Sequence, residues 1–146
     1  MQYLAPVAVA RAEAAWLEGR PGATAGETDD VFALALRLRE PTFIAELACW
    51  RWRAGILADA PADAADPCGL QIAGQYEAVA QFWREHACPY EAALALADAP
   101  EEVALRQAYN ELRALGSQSA AAIVERRLCD CAPAAAPSVD GHRKWR

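Results

Sequence analysis

The stretch CPYEAALALADAPEEV, residues 88–103, contains the helix signals that decide how this chain folds. Pro89 and Pro100 each suit the first turn of a helix, where the missing proline N–H costs no hydrogen bond. The apolar side chains between them recur at the spacing of one helix face: Tyr90, Ala93, Leu94 and Ala97. The stretch therefore predicts a short helix from Pro89, with Cys88 as the boundary before it, and another helix from Pro100.

Helix signals of the same kind extend outward in both directions. Pro41 opens an apolar segment, the sequence GRPG at 19–22 and Gly116 are stops, and Thr24 with Glu27 has capping-box spacing. Alanine, the strongest helix former, makes up about a quarter of the chain, and alternating β-branched runs are scarce. We predict an all-α fold of about seven short helices, paired antiparallel in a right-handed, tetratricopeptide-like α-solenoid.

Core faces are predicted from the spacing of apolar residues along each helix. In the first helix, small residues and one large aromatic fall on neighbouring turns: Ala8, Ala12, Ala15 and Trp16. In the helix that begins near Thr24, the predicted core face is Val31, Leu34, Ala35 and Leu38.

Length and charge limit the classes of protein to consider. A chain of 146 residues suits one domain, and we assign residues 1–131 to the helical repeat and 132–146 to a disordered tail. The net charge of −6 argues against binding to a phosphate backbone as the main activity. No apolar run approaches the roughly 18 residues of a membrane span, and no signal peptide is evident, so we expect a cytoplasmic protein.

The five cysteines form no recognisable framework, because their number is odd and no C-x-x-C occurs. A thiol at Cys88 with His86 nearby could suggest a nucleophile, but the helix boundary explains Cys88 better. Cys129 and Cys131 with His142 form an incomplete ligand set, since structural zinc takes four ligands. We therefore predict no catalytic residue, no metal site and no cofactor.

A candidate partner groove centres on Arg51, Trp52 and Arg53, which interrupt an otherwise apolar helix. Together with Tyr76, these side chains could form a wall that binds an acidic or aromatic partner. The alternative is that the arginines reach water or pair with acidic residues of the next helix.

The helix pair at 103–128 superficially resembles a helix-turn-helix, with Gly116 in the turn and Arg126 and Arg127 as candidate nucleic-acid contacts. Three consecutive alanines at 120–122 stand where a recognition helix needs base-reading side chains. Helix packing explains them better, so nucleic-acid binding through this segment alone is not expected.

Longer stretches resemble a known family. The segment AGQYEAVAQFW resembles the Gly-x-Tyr-x-x-Ala corner of a tetratricopeptide repeat, with Gly74, Tyr76 and, one residue early, Ala78. The segments CPYEAALALAD and ALGSQSAAAIVERRL, within a similarity over roughly 4–128, resemble the end of the helical repeat region in MalT-like regulators of the LuxR class. Those regulators combine an ATPase module, helical repeats and a DNA-binding helix-turn-helix. This sequence contains no G-x-x-x-x-G-K-[ST] phosphate loop, and no helix-turn-helix follows Leu128.

The resemblance implies a non-enzymatic scaffold and sensor module, detached from such a transcriptional regulator. It would bind a protein or peptide partner, or a small-molecule inducer. A stand-alone peptide-binding adaptor is the alternative. Because the ends of a solenoid expose apolar surface, we also predict self-association through the amino-terminal helix pair.

Overall fold

A computed structural model of the protein describes residues 1–131, which form eight α-helices and no strand. The helices are α1 Leu4–Leu17, α2 Thr24–Leu38, α3 Pro41–Arg53, α4 Cys68–Ile72, α5 Tyr76–Glu85, α6 Pro89–Ala97, α7 Glu102–Ala114 and α8 Gln118–Cys131. The all-α prediction is confirmed, whereas the predicted tail at 132–146 lies outside the described residues. No helix within 1–131 is long and apolar enough to cross a membrane.

Six helices end at a residue with a left-handed backbone. Four of these residues are the glycines Gly19, Gly55, Gly74 and Gly116, and the other two are Arg39 and Ala87. The next backbone N–H then bonds to the carbonyl five residues earlier, as from Ser117 to Leu112 at 2.9 Å. The next helix then begins within a few residues, except after α3, where residues 54–67 form a longer connection.

The helix starts agree only partly with the sequence signals. Pro41 and Pro89 lie in the first turns of α3 and α6, and Cys88 is the N-cap of α6. Pro100 is not in a helix, because the turn after α6 continues to Glu101, the N-cap of α7. The predicted cap at Thr24 is also wrong: a 3-10 turn at Pro21–Ala23 leads directly into α2, which places Thr24 inside the helix.

Two groups of buried residues form the hydrophobic interior. The amino-terminal core joins α1, α2, α3 and α4 through Ala5, Ala8, Phe32, Ala35, Ile44, Ala45, Leu47, Ala48 and Cys68. The carboxyl-terminal core joins α5, α6, α7 and α8 with Ala12 and Trp50. Helix α6 lies at its centre, between α5 and α7, with every side chain from Ala92 to Ala97 buried. Helix α1 contributes to both cores, so it links the amino-terminal half of the fold, α1 to α4, with the carboxyl-terminal half, α5 to α8.

The helices mostly pack in chain order, α1 on α2, α2 on α3, and then α5 through α8 in succession. Helix α1 also contacts α3 and α8, so the first and last helices of residues 1–131 meet. In an open solenoid each repeat contacts only its neighbours. The contact between α1 and α8 is therefore a departure from the simple array that the sequence suggested.

Candidate ligand-binding cavity

A cavity of about 320 Å³ lies where the amino-terminal and carboxyl-terminal cores meet. Ala45 and Cys68 line it from the amino-terminal core, and Trp50, Val79 and Leu94 line it from the carboxyl-terminal core. Its volume is at the lower end of the range of about 300–1,000 Å³ that is typical of small-molecule sites. The cavity can therefore hold a small organic molecule in contact with both halves of the fold.

The base and the rim of the cavity differ in chemistry. Its buried lining residues are almost all apolar: Ala45, Trp50, Cys68, Gln71, Val79, Leu94 and Ala95. Trp83 and Tyr90, both half-buried, add aromatic surface. Glu46, Asp66 and Glu91 also line the cavity but remain exposed, so they lie at the rim. The cavity thus has an apolar base and an acidic rim.

One lining carboxylate is held in place by a hydrogen bond. The Tyr90 hydroxyl donates to Glu13 Oε1 at 2.7 Å, which joins α6 to α1. Burial and this bond both raise the pKa of Tyr90, so the phenol stays protonated and remains a donor. Glu46 is exposed at the rim, but neighbouring side chains remove part of the water around its carboxyl group, and this partial desolvation raises its pKa.

A buried polar network stands beside the cavity. Arg53 Nε donates to Asp98 Oδ2 at 2.8 Å, and the two side chains are only 9% and 10% exposed. Gln71 Nε2 donates to the same Asp98 oxygen at 2.7 Å and to the Ala95 carbonyl at 3.2 Å. Burial alone would lower the pKa of Arg53, but the charge of Asp98 and the hydrogen bond to it, together with Cys49 and Cys68 nearby, raise it overall. The network ties α3 and α4 to the end of α6.

Two further details describe this network. The Arg53 guanidinium lies 4.7 Å from the centre of the Trp50 ring, so one of its faces is covered by an aromatic side chain. The side-chain oxygen of Gln71, by contrast, is enclosed by the protein and has no hydrogen-bond partner among the described residues. A buried acceptor without a donor lowers stability, so this oxygen is an unfavourable feature of the cavity wall.

Two cavity cysteines interact with each other. The hydrogen bond with Cys68, assisted by the positive charge of Arg53, lowers the pKa of Cys49 to about 7 despite burial. The same interaction and burial raise the pKa of Cys68. This pair was not predictable from the sequence, because the two residues belong to different helices and form no spacing motif.

The predicted groove residues do not share one site. Arg53 lines the cavity, but Arg51 points to α2, where it donates to Thr28 Oγ1 at 2.9 Å and to Asp29 Oδ1 at 2.5 Å. Trp52 lines neither this cavity nor the separate surface pocket that contains Tyr76. Consecutive helical residues project about 100° apart, so 51, 52 and 53 cannot face one groove together. Both arginines pair with acidic residues, but the partners lie on α2 and at the end of α6 and not on the next helix, as the alternative expected.

The two candidate nucleic-acid arginines have different environments. Arg126 is exposed on α8. Arg127 is half-buried and donates to the carbonyls of Ala97 and, at 3.3 Å, Ala99, at the end of α6. A cation at a helix carboxyl end satisfies carbonyls that lack a partner within the helix. Arg127 therefore has a structural role and is not free to contact a nucleic acid.

The remaining candidate residues also have defined positions. Cys88 donates to the backbone carbonyl of His86 at 3.4 Å, and the His86 ring contacts the Phe82 carbonyl at 2.7 Å, so the thiol and the imidazole are not paired. Cys129 and Cys131 are exposed at the end of α8, and His142 lies outside the described residues. Within 1–131 no three metal-ligating side chains come together.

The comparisons with known proteins add no further assignment. No protein-family model matches the chain, and the searches of curated proteins and of solved structures found no significant match. The geometry of the cavity is therefore the basis on which a function can be proposed.

Proposed function

We propose that this protein is a non-enzymatic sensor module that binds a small organic molecule in the cavity between its two cores. The observation that carries the proposal is the position of the cavity. Its lining comes from α1, α3, α4, α5 and α6, so a bound molecule would contact both halves at once. Occupancy would then stabilise one arrangement of the halves over others, which is how a ligand shifts a conformational equilibrium.

The sequence resemblance supports a regulatory use of such a module. A helical repeat from a MalT-like, LuxR-class regulator would report inducer binding to domains that act on transcription in the cytoplasm. In this proposal the chain belongs to a tetratricopeptide-like superhelix and passes the signal to a protein partner. The polar links that cross the fold, from Arg53 to Asp98 and from Tyr90 to Glu13, would carry the coupling.

Nuclear magnetic resonance of the indole N–H groups tests ligand binding. Trp50 and Trp83 line the cavity, whereas Trp52 does not. We expect small apolar amines or alcohols to shift the signals of Trp50 and Trp83 and to leave that of Trp52 in place. If the probes shift none of the indole signals, or only that of Trp52, the proposal is wrong.

A matched pair of variants locates the binding. Thr42 lies at the rim and is exposed, so Thr42→Phe should block entry without disturbing the interior. Ala114→Phe adds the same ring to an exposed position of α7 that does not line the cavity. We expect Thr42→Phe to weaken probe binding at least tenfold and Ala114→Phe to leave it unchanged.

A further inference from the structure

We propose that the ligand of this cavity is an organic cation, with an apolar body in the base and an ammonium group at the acidic rim. The inference rests on the proposed function, because it specifies the chemical class that the same cavity selects. Three features of the lining support it: the apolar base, the excess of carboxylates, and the kind of hydrogen-bonding groups that are still available.

The base of the cavity selects an apolar body. Trp50, Val79 and Leu94 are all less than 10% exposed and form its buried wall, with the rings of Trp83 and Tyr90 beside them. Aromatic faces attract cations as well as apolar groups, because the ring carries negative charge above its plane. A purely polar ligand would lose its hydration here without replacement.

The charged lining residues select a positive group. Four of them are carboxylates, namely Glu13, Glu46, Asp66 and Glu91, and the one basic residue is Arg53. The charge of Arg53 is already balanced by Asp98, which does not line the cavity. The net field in the cavity is therefore negative, which attracts an ammonium group and repels a carboxylate.

The hydrogen-bonding groups lead to the same conclusion. The Nε–H of Arg53, the side-chain amide N–H groups of Gln71 and the hydroxyl of Tyr90 are committed to Asp98, to the Ala95 carbonyl and to Glu13. The rim carboxylates of Glu46, Asp66 and Glu91 are exposed and accept hydrogen bonds only. A ligand that donates N–H bonds at the rim therefore matches these groups.

Matched probes test the charge preference by titration calorimetry. The probes are 2-phenylethylamine, 2-phenylethanol and 3-phenylpropionate, together with their cyclohexyl analogues. We expect each amine to bind about tenfold more tightly than its alcohol at low salt, and each carboxylate to bind most weakly. The advantage of the amines should shrink as salt is added, because the rim carboxylates are exposed.

Charge-neutralising variants assign the preference to the rim. In E46Q/E91Q the amine advantage should fall to about threefold or less, while alcohol binding stays the same. The control D30N/E125Q removes two carboxylates that are exposed and do not line the cavity, and it should keep the full advantage.

The outcomes separate this inference from the proposed function. Equal affinity for amine and alcohol would overturn the cation preference and leave the cavity as a binding site. Tighter binding of the carboxylates would overturn it as well. Binding by none of the probes would overturn both proposals.

Discussion

Replacing Asp98 with alanine should severely destabilise the protein, because it would leave the Arg53 guanidinium buried without a counter-ion. Both side chains are about one-tenth exposed, so water cannot readily replace the lost carboxylate. Breaking a buried ion pair from one side costs about 3–5 kcal/mol. Since domains of this kind are stable by about 5–15 kcal/mol, Asp98→Ala should remove a large fraction of the free energy of unfolding.

Urea denaturation followed by circular dichroism measures this loss, and two further variants establish its cause. In R53M/D98N no buried charge remains, and the new side-chain amide still accepts the hydrogen bond from Gln71. We expect this double variant to lie within about 2 kcal/mol of the parent, and so to be more stable than D98A. The control R106A breaks the exposed pair with Glu102 and should change stability by about 0.5 kcal/mol or less.

A small loss of stability in Asp98→Ala would refute this reasoning. If Asp98→Ala costs less than about 1 kcal/mol, Arg53 must gain water or another partner in the variant. The junction of α3, α4 and α6 would then not be the fixed boundary of the cavity that the structure indicates.

Three other predictions concern the turn after α5, the cavity thiols and the amino terminus. Ala87→Gly should stabilise the protein by about 0.5–1 kcal/mol in urea denaturation, because Ala87 has a left-handed φ of 56° that glycine adopts without strain; no gain would contradict this. Iodoacetamide at neutral pH should modify Cys49 before Cys68 in mass mapping, because Cys49 is half-buried whereas Cys68 is buried, and the positive charge of Arg53 favours the Cys49 thiolate; equal rates would contradict it. Tyr3 and Val7, which are 80% and 51% exposed, should mediate self-association in sedimentation experiments, and Tyr3→Ser/Val7→Ser should weaken it; a monomeric parent at high concentration would refute this.

The sequence predicted the carboxyl-terminal ends of the helices better than their buried faces, and α2 shows why the faces were harder. Its buried positions are Thr24, Thr28, Phe32 and Ala35, whereas the predicted core residue Leu38 is 53% exposed. Thr28 Oγ1 donates to the Thr24 carbonyl at 2.6 Å, so its hydroxyl is satisfied within the helix and can be buried. A search for apolar periodicity treats both threonines as polar and therefore shifts the predicted face. The stop signals at Gly19 and Gly116 act on the local backbone, so these predictions did not depend on packing.

The cavity was not predictable from local patterns, because its acidic residues come from separate elements: Glu13, Glu46, Asp66 and Glu91. They converge only after α1, α3, the loop before α4, and α6 have packed together. The Arg53–Asp98 pair shows the same limit, since the sequence suggested an acidic partner on the next helix and the actual partner is 45 residues away.

The small residues that favoured helix formation also explain why a cavity exists at this junction. Along α6 the alanines allow α5 and α7 to approach closely, and every position from Ala92 to Ala97 is buried. Where α3 and α6 face the boundary between the two cores, Ala45 and Ala95 line open space that larger side chains would fill. Unfilled apolar volume lowers stability, because the side chains around it make fewer packing contacts. An acidic rim lies beside this volume. That combination is difficult to explain by packing alone and is expected of a binding site, where function opposes maximal stability.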